Sequence, residues 1–333
     1  MPRVPHRSQP SQVGNPANAQ PVRRLWAVIL AGGDGNRLRS EIVQRTGRST
    51  PKQFCDFGAG VPLVVEAVHR AERLVPRDRI LVSTSRRHRY EAQSALARVP
   101  GVRVIEQPAN ADTTPGLLLP ALSVLAEDPD AILLVLPADH FVDDDARFMR
   151  ALGAAADHLI ADPHHLGLLG VDLKRNEEDY GWVEPGQAHR DGWHTVLSFR
   201  EKPPAAEVPA LRARGALINT FAMAVPVRIL TELIAEHVPR WWKGISETHT
   251  DPGLLEYAYR ILRPSNFSTD VLHRAVGKLR VSRLEGVEWT DVGTPDRLTS
   301  VYGPARPRPL LPSSGVIRPF SRPTVGPSLC RSS

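Results

Sequence analysis

The feature that most constrains the fold is an apolar run that ends in a cluster of glycines. The letters LWAVILA occupy residues 25–31, and glycines follow at positions 32, 33 and 35. A continuous apolar run before a turn signal is typical of a central strand in a parallel sheet, buried on both faces. Parallel neighbours need crossover connections, which are usually helices. The run therefore favours an α/β fold.

Further strand-like and helix-like stretches alternate along the chain. In the first half the pattern predicts strands at 79–84, 102–106 and 131–136 and helices near 61–74, 88–98, 116–126 and 146–160. In the less regular second half it predicts strands at 166–171, 195–200, 218–225 and 279–284 and helices near 205–214, 227–237 and 252–262. Strands separated by helices at this spacing predict an α/β sheet with right-handed crossovers.

The two ends of the chain differ from its body in composition. Residues 1–22 hold five prolines and residues 303–333 hold seven, with little that could form a core. Such segments cannot bury enough apolar surface to offset the entropy of ordering. We therefore predict a disordered N-terminal tail at 1–22, one folded domain at 23–302 and a disordered Pro/Arg-rich C-terminal tail at 303–333.

Most of the positive charge lies in these ends. The net charge is +6, but residues 1–24 carry four arginines, residues 303–333 carry five, and neither segment contains an acid. The body between them therefore has a net charge of −3. A protein that acts on nucleic acid is expected to carry a basic face on its folded part. We expect no specific nucleic-acid partner.

The sequence also bears on the compartment. No stretch reaches the roughly 18–20 apolar residues that span a bilayer, and no apolar run near the N-terminus indicates a secretory signal. The two cysteines, Cys55 and Cys330, are too few for a disulfide framework. We expect no membrane insertion, and free thiols in a reducing, cytoplasmic compartment.

The loop after the first strand is the first candidate for chemistry. Its glycines let the backbone approach a ligand and turn several N–H groups toward one point, which suits phosphate oxygens. Arg37 adds a positive fork for a polyphosphate, and Lys52 adds a second charge. A tight turn without a ligand is the alternative. The P-loop spacing is absent, and Leu38 replaces the third glycine of a dinucleotide-binding loop, which disfavours a nicotinamide-dependent oxidoreductase.

An aspartate follows the strand predicted at 131–136. Asp139 lies at the carboxyl end of this strand, where open α/β sheets bind their ligands, although a helix cap or a turn would also explain it. We interpret the neighbouring His140 as a structural hydrogen-bonding residue, and the acidic run at 143–145 as helix capping and solvated charge. The histidines show no zinc-binding spacing.

These motifs and several later ones resemble the sugar-1-phosphate nucleotidyltransferase family, and within it the mannose-1-phosphate guanylyltransferases. The letters LAGGDGNRL at 30–38 and PKQF at 51–54 are similar to the opening signature of that family. The later matches are LPADH at 136–140, YGWVEPG at 180–186, FREKP at 199–203, NTF at 219–221 and WTDVGT at 289–294. The resemblance covers most of residues 25–302.

The resemblance implies a fold and an activity. The fold would be a Rossmann-like nucleotidyltransferase fold of the α/β class, with a mixed, mainly parallel central sheet flanked by helices. The activity would be Mg²⁺-dependent transfer of a nucleotidyl group from GTP to mannose 1-phosphate, giving GDP-mannose and pyrophosphate. The partners would be small-molecule substrates, a homodimer is compatible with the family, and supply of polysaccharide biosynthesis is a family-level expectation.

The resemblance also implies site residues. The expected catalytic residues are Arg37, Lys52, Asp139 and Lys202, and the expected metal ligands are Asp139 and Asp291. Two aspartates suffice, because Mg²⁺ is usually held by one or two carboxylates together with substrate phosphates and water. The expected nucleotide-binding residues are Leu30, Ala31, Gly32, Gly33, Gly35, Asn36, Gln107, Asn110 and Thr113. The expected sugar-binding residues are Gly181, Glu201, Lys202 and Asn219.

The sequence departs from the family pattern near the expected base site. Ala111 and Asp112 stand where the guanylyltransferases normally have arginine and asparagine, and Asn36 and Ser40 replace a preferred threonine and a frequent proline. Base choice rests on a few hydrogen bonds, so these changes leave other pairs open, such as UTP, CTP or dTTP with glucose or heptose 1-phosphate. A non-catalytic sensor of nucleotide sugars is a further alternative.

Overall fold

The computed structural model describes residues 24–172, 177–189 and 191–304. The predicted tail at 1–22 and residues 305–333 of the predicted C-terminal tail lie outside the described residues. The strands are β1 (Leu25–Leu30), β2 (Ile80–Ser85), β3 (Arg103–Gln107), β4 (Ile132–Pro137), β5 (His140–Val142), β6 (Leu166–Val171), β7 (Gly181–Ala188), β8 (Trp193–Glu201), β9 (Leu217–Pro226), β10 (Leu279–Arg283) and β11 (Trp289–Asp291).

Helices connect most of these strands. They are α1 (Arg39–Thr46), α2 (Leu63–Ala71), α3 (Arg89–Leu96), α4 (Thr113–Glu127), α5 (Asp145–Ala161), α6 (Val208–Ala213), α7 (Val227–His237), α8 (Pro239–Ser246), α9 (Pro252–Ile261) and α10 (Pro295–Tyr302). Among the described residues, no helix combines the length and the apolar character needed to cross a membrane.

The strands form a mixed sheet and a small ribbon. The large sheet has the order β3-β2-β1-β4-β9-β6-β10-β8-β7, and β5 pairs with β11 outside it. Strands β1 to β4 run parallel, as do β6 and β10, whereas β9 is antiparallel to its neighbours β4 and β6. The α/β class and the mixed sheet are confirmed. Of the neighbouring pairs in the described sheet, four are parallel and five antiparallel, so "mainly parallel" holds only for the first four strands.

The two halves differ in how their strands are connected and paired. The first four strands are joined through helices, which return the chain to the same edge of the sheet. Strands β7 and β8 pair directly as an antiparallel hairpin, and β7 also pairs with β9. The short connection between β7 and β8 reverses the strand direction, and β9 runs antiparallel to β4 and β6, which a strand pattern read residue by residue does not reveal.

The first strand shows how the core is divided. Ala27 and Ile29 pack into the core on one face of the sheet, and Trp26 and Val28 pack into the core on the other. Both faces of β1 are therefore buried, as the continuous apolar run predicts. The carboxyl ends of the parallel strands β1, β2 and β4 meet at one edge of the sheet, and the ribbon of β5 and β11 follows directly on β4.

Several elements were not predicted from the sequence pattern. The missed strands are β5, β7 and β11, and the missed helices are α1, α8 and α10. Strands β5 and β11 have only three residues each, which is too short for a periodic signal. Helix α1 buries a single side chain, Ile42, so its sequence lacks an apolar stripe.

Candidate active site

The glycine-rich loop after β1 is held by contacts from the next motif. The side-chain amide of Gln53 donates hydrogen bonds to the carbonyl oxygens of Ala31 at 2.9 Å and Gly33 at 2.7 Å. Gly35 has a φ of +64°, and a Cβ there would lie 3.3 Å from the backbone nitrogen of Lys52. The two opening motifs thus form one packed unit, in which only glycine fits easily at position 35.

The loop also contains a carboxylate whose role the sequence reasoning missed. Asp34 Oδ1 lies 3.0 Å from His88 Nε2, and Asp34 Oδ2 accepts a hydrogen bond from Asn110 Nδ2 at 3.1 Å. Burial raises the pKa of Asp34, but these two hydrogen bonds, His88 and Arg87 outweigh it and leave the pKa below its usual value. Asp34 therefore fastens the loop to the end of β2 and to the segment after β3.

The ribbon of β5 and β11 brings the two predicted metal aspartates to the same place. In this ribbon Asp291 pairs with His140, the residue next to Asp139. The backbone nitrogen of Val292 also donates to the carbonyl oxygen of Asp139 at 2.9 Å. Both aspartate side chains line one cavity.

Lys52 neutralises part of this negative charge. Its Nζ lies 2.6 Å from Asp139 Oδ2 and donates to the carbonyl oxygen of Val292 at 2.7 Å. Burial raises the pKa of Asp139, but the charges of Lys52 and His140 and the hydrogen bond from Lys52 outweigh it and lower the pKa below its usual value. Asp139 is thus stabilised as a carboxylate in a half-buried position.

His140 has the structural role that we expected. Its Nδ1 accepts a hydrogen bond from Trp289 Nε1 at 3.2 Å, and the two rings meet edge to face. Burial lowers the pKa of His140 to about 4, so the ring is neutral near pH 7. A neutral ring that accepts a hydrogen bond supports the ribbon without adding charge to the cavity.

The cavity has a volume of about 590 Å³ and brings most of the nucleotide-side residues together. The predicted residues that line it are Leu30, Gly32, Gly33, Gln107, Asn110, Thr113, Asp139 and Asp291. Residues that line it without having been predicted as site residues are Asp112, Gly116, Pro137, His140, Phe221 and Pro264. The structure therefore joins the glycine-rich loop, the segment after β3 and the two aspartates around one volume.

Five predicted residues of the two opening motifs do not line this cavity. Gly35 and Asn36 line a neighbouring pocket of about 220 Å³, together with Asp34. Ala31 is buried, and its carbonyl oxygen is bound by Gln53. Arg37 is exposed, and Lys52 reaches the cavity through Asp139.

The predicted nucleotide-binding amides have protein partners. Gln107 is 3% exposed, its Nε2 donates to Ser83 Oγ at 3.1 Å, and Tyr259 OH donates to its Oε1 at 3.3 Å. Asn110 donates to Asp34 and accepts from the backbone nitrogen of Asp112. These amides shape the wall of the cavity, and their binding roles stay predictions.

The predicted sugar-binding residues form a second group beside the cavity. Gly181 pairs with Glu201 across β7 and β8, and a Cβ at Gly181 would lie 2.7 Å from Glu201 Oε2 and 3.5 Å from Asn219 Cβ. Burial raises the pKa of Glu201, and Lys202 and a hydrogen bond from Ser268 partly counter it. Lys202 is exposed, with a φ of +46°. The structure therefore places Glu201 and Asn219 beside Gly181, and Lys202 follows directly after β8.

The NTF motif connects this group to the cavity. The register between β6 and β9 shifts along the pair of strands. Leu168 pairs with Met223, but Gly170 pairs with Asn219 instead of Phe221. The extra residues of β9 form a bulge in which Phe221 takes a φ of +59° and lines the cavity. A positive φ at a phenylalanine is unusual, and such backbone conformations cluster at ligand sites. The sequence signal for this residue was the NTF match itself.

The donor set fits a magnesium ion. Asp139 and Asp291 offer hard carboxylate oxygens beside one ribbon, and Mg²⁺ commonly takes one or two carboxylates with substrate phosphates and water. Among the residues that the structure describes, no cluster of three or more His, Cys, Asp and Glu side chains suits a metal ion. With only two carboxylates available, a magnesium ion here would need substrate phosphates and water as its remaining ligands.

Comparison with known proteins gives a consistent family. The sequence matches the family model described as nucleotidyl transferase over residues 26–303. It is 32% identical over 219 residues to the alginate biosynthesis protein AlgA of Pseudomonas fluorescens, covering 64% of this chain and 44% of AlgA. It is 29% identical over 196 residues to the mannose-1-phosphate guanylyltransferase of Escherichia coli, covering 57% of this chain and 40% of that protein. The chain thus spans less than half of the length of these relatives.

A solved structure supports the same conclusion. The structure named mannose-1-phosphate geranyltransferase from Thermus thermophilus superposes with a TM-score of 0.72 at 28% identity, covering 81% of this chain and 76% of the other. These matches confirm the resemblance to sugar-1-phosphate nucleotidyltransferases and the fold that it implies. Since the family match covers nearly the whole described part, the chain belongs to the nucleotidyl transferase family.

Proposed function

We propose that this chain transfers a nucleotidyl group from GTP to mannose 1-phosphate, forming GDP-mannose and releasing pyrophosphate, with Mg²⁺ bound at Asp139 and Asp291. One observation carries the proposal. The glycine-rich loop and both aspartates line one cavity, and Lys52 contacts Asp139 at 2.6 Å. A backbone loop suited to phosphates and two carboxylates suited to a metal ion are thereby close to each other, which supports nucleotidyl transfer.

The names of similar proteins support the choice of substrates. The Escherichia coli relative is named a mannose-1-phosphate guanylyltransferase, and the Thermus thermophilus structure carries mannose 1-phosphate in its name. This chain carries the glycine-rich loop, the two aspartates and the group of Gly181, Glu201 and Asn219 that the resemblance implies. We therefore propose mannose 1-phosphate as the sugar substrate.

The chemistry needs alignment and charge neutralisation more than a strong base. A sugar phosphate is already an anion near neutral pH, so one of its oxygens attacks the α-phosphorus of the nucleoside triphosphate and the bond to pyrophosphate breaks. Mg²⁺, when bound, neutralises negative charge on the reacting phosphates. Arg37 and the glycine-rich loop would hold the triphosphate, and Lys202 the attacking phosphate.

The half-buried Glu201 suits the sugar. A carboxylate accepts hydrogen bonds from two hydroxyl groups, and Gly181 leaves space beside its Oε2 that any side chain would fill. Asn219 Oδ1 accepts a hydrogen bond from the backbone nitrogen of Phe221 at 3.1 Å, and its amide nitrogen would be the donor to a sugar hydroxyl. These three residues provide both an acceptor and a donor for sugar hydroxyls.

A panel of substrates tests the proposal. Pyrophosphate release by the whole chain would be measured with Mg²⁺, using GTP, UTP, CTP, dTTP and ATP against mannose, glucose and heptose 1-phosphates. We expect release only when both substrates are present, and fastest with GTP and mannose 1-phosphate. A different best pair would correct the substrates and keep the mechanism. No release by a folded protein that binds nucleotide would favour a sensor.

The Asp139→Asn variant tests the site rather than the substrates. Asparagine keeps the shape of the side chain and removes the charge that a metal ion needs. We expect pyrophosphate release to fall by roughly two orders of magnitude or more, the loss expected for a missing electrostatic group. Full activity of this variant at saturating Mg²⁺ would exclude Asp139 as a metal ligand.

A further inference from the structure

Two residues outside the predicted site meet one oxygen of Asp291. Tyr180 OH donates to Asp291 Oδ1 at 2.5 Å, and Arg297 NH1 donates to the same oxygen at 2.8 Å. No described side chain donates to Oδ2. We propose that Tyr180 and Arg297 are positioning residues that fix the Asp291 carboxylate by Oδ1 and keep Oδ2 for the metal ion. This inference rests on the proposed function.

The packing around Tyr180 holds its side chain in place. Its side chain is 7% exposed, and its ring packs 5.4 Å from that of Trp289 on the same strand as Asp291. The hydroxyl also lies 3.4 Å from Thr290 Oγ1. A phenolic hydroxyl keeps its proton near pH 7 and is therefore a hydrogen-bond donor to the carboxylate of Asp291.

Arg297 completes the same unit from helix α10. Its side chain is 8% exposed, its guanidinium lies 4.3 Å from the centre of the Tyr180 ring, and its NH2 donates to Glu177 Oε2 at 2.7 Å. A buried arginine needs carboxylate partners, and here it has at least two. Because Arg297 is clamped between Glu177 and the Tyr180 ring, it holds Asp291 from a fixed position.

Both donors bind Oδ1 of Asp291, so the two oxygens of this carboxylate have different surroundings. A carboxylate that accepts two hydrogen bonds on one oxygen is fixed in orientation, and metal-binding carboxylates are commonly held in this way by residues behind them. On the other side, a Cβ at Gly293 would collide with Oδ2. Glycine at 293 therefore leaves Oδ2 room that any other residue would take.

Tyr180 also connects Asp291 to the sugar side of the site. Its carbonyl oxygen accepts a hydrogen bond from the backbone nitrogen of Lys202 at 3.1 Å. Lys202 has the positive φ described above, so this bond helps to hold an unusual backbone conformation. One residue thus fixes the strand end with Lys202 through its backbone and the metal aspartate through its hydroxyl.

The Tyr180→Phe variant separates these two functions. It removes the hydroxyl and keeps the ring, the backbone bond to Lys202 and the packing against Arg297. The matched control is Tyr302→Phe, which removes a buried hydroxyl that contacts none of the predicted site residues. Mn²⁺ would serve as the probe. Binding to the protein would be measured as the loss of the free Mn²⁺ electron paramagnetic resonance signal, in the presence of GTP, beyond the loss that the same GTP concentration causes without protein. The Mg²⁺ half-saturation and kcat would be measured in parallel.

We expect Tyr180→Phe to weaken Mn²⁺ binding and raise the Mg²⁺ half-saturation by about tenfold, at the lower end of the loss usual for residues behind metal ligands. Thermal unfolding and the KM for sugar phosphate should stay close to those of the wild type, and Tyr302→Phe should change none of these. Arg297→Lys, which keeps the charge and loses the planar fork, should weaken Mn²⁺ binding too, and serves if Tyr180→Phe does not fold.

The outcomes separate this inference from the proposed function. Wild-type Mn²⁺ affinity in both Tyr180→Phe and Arg297→Lys would overturn the positioning role, as would absence of Mn²⁺ binding by the wild type. Weaker Mn²⁺ binding in the variants, combined with no pyrophosphate release by the wild type on any substrate pair, would support the positioning role and contradict the proposed function.

Discussion

The contact between Lys52 and Asp139 can be tested through stability, independently of any substrate. In the Lys52→Met variant the stem of the side chain stays and its charge is lost, so Asp139 remains half-buried without its partner. We expect the free energy of unfolding to fall, because an unpaired carboxylate in this position has lost the charge that compensates its desolvation.

The magnitude follows from distance and exposure. At 2.6 Å and an effective dielectric constant of about 20, the attraction between the two charges is about 6 kcal/mol, most of which offsets desolvation. Breaking a fully buried pair costs about 3–5 kcal/mol, whereas exposed pairs contribute about 0.2–1 kcal/mol. The side chains of Lys52 and Asp139 are 13% and 26% exposed, so we expect a loss of about 1–3 kcal/mol. For a folded unit of this size that corresponds to about 2–8 °C in Tm.

A double-mutant cycle isolates the pair. Chemical denaturation of the wild type, Lys52→Met, Asp139→Asn and the double variant should give a coupling energy of about 1 kcal/mol or more, since the residues are in contact. The pH dependence has a definite sign. The pKa of folded Asp139 is lowered, so the stabilisation is present above the unfolded pKa of about 3.9 and is lost as pH falls through the lower folded value.

The control is an exposed ion pair that does not line the cavity. Arg86 lies 3.1 Å from Glu256, and both side chains are exposed to solvent. Arg86→Met should therefore change the free energy of unfolding by less than about 1 kcal/mol. A coupling energy near zero for Lys52 and Asp139, or an effect that does not decline as the pH is lowered through the range in which Asp139 takes up its proton, would refute the reasoning.

Three further predictions concern single residues around the cavity. Asp34→Ala should raise the KM for the nucleoside triphosphate by about tenfold, because the loop loses its hydrogen bonds to His88 and Asn110, and an unchanged KM in steady-state kinetics would contradict it. Gly181→Ala should lower kcat/KM for the sugar phosphate by about tenfold and leave the KM for nucleotide unaltered, since the added Cβ pushes against Glu201. Equal losses for both substrates would point to general unfolding. Burial raises the pKa of Cys55 to about 12, so native protein should resist alkylation of this thiol while denatured protein reacts, as peptide mass mapping would show.

Much of the first half of the fold could be predicted because its signals are local. Strands buried on both faces appear as continuous apolar runs, and β1, β2 and β4 begin and end within two residues of their predicted bounds. Apart from α1, the helices between them bury several apolar side chains each, and the apolar stripe of α2 is an example that the sequence pattern reveals. The antiparallel arrangement of β7, β8 and β9 depends on pairing between distant residues and was not predicted.

The candidate site could be predicted as a set of residues and not as an arrangement. The resemblance named Asp139 and Asp291, but the ribbon that joins them has two three-residue strands whose paired residues, such as His140 and Asp291, are 151 positions apart. No periodic signal marks such short strands. Only the fold decides that they pair, and in which register.

The sequence by itself determined which chemical groups are available and where each lies along its strand. It supplied the glycines, Lys52 and the two aspartates, because residue type and strand ends are local properties. The tertiary structure decided how each charge is compensated: Lys52 binds Asp139, while Tyr180 and Arg297 hold Asp291. Hydrogen bonds and ion pairs act over about 3 Å, a distance that only the packing of remote segments can set.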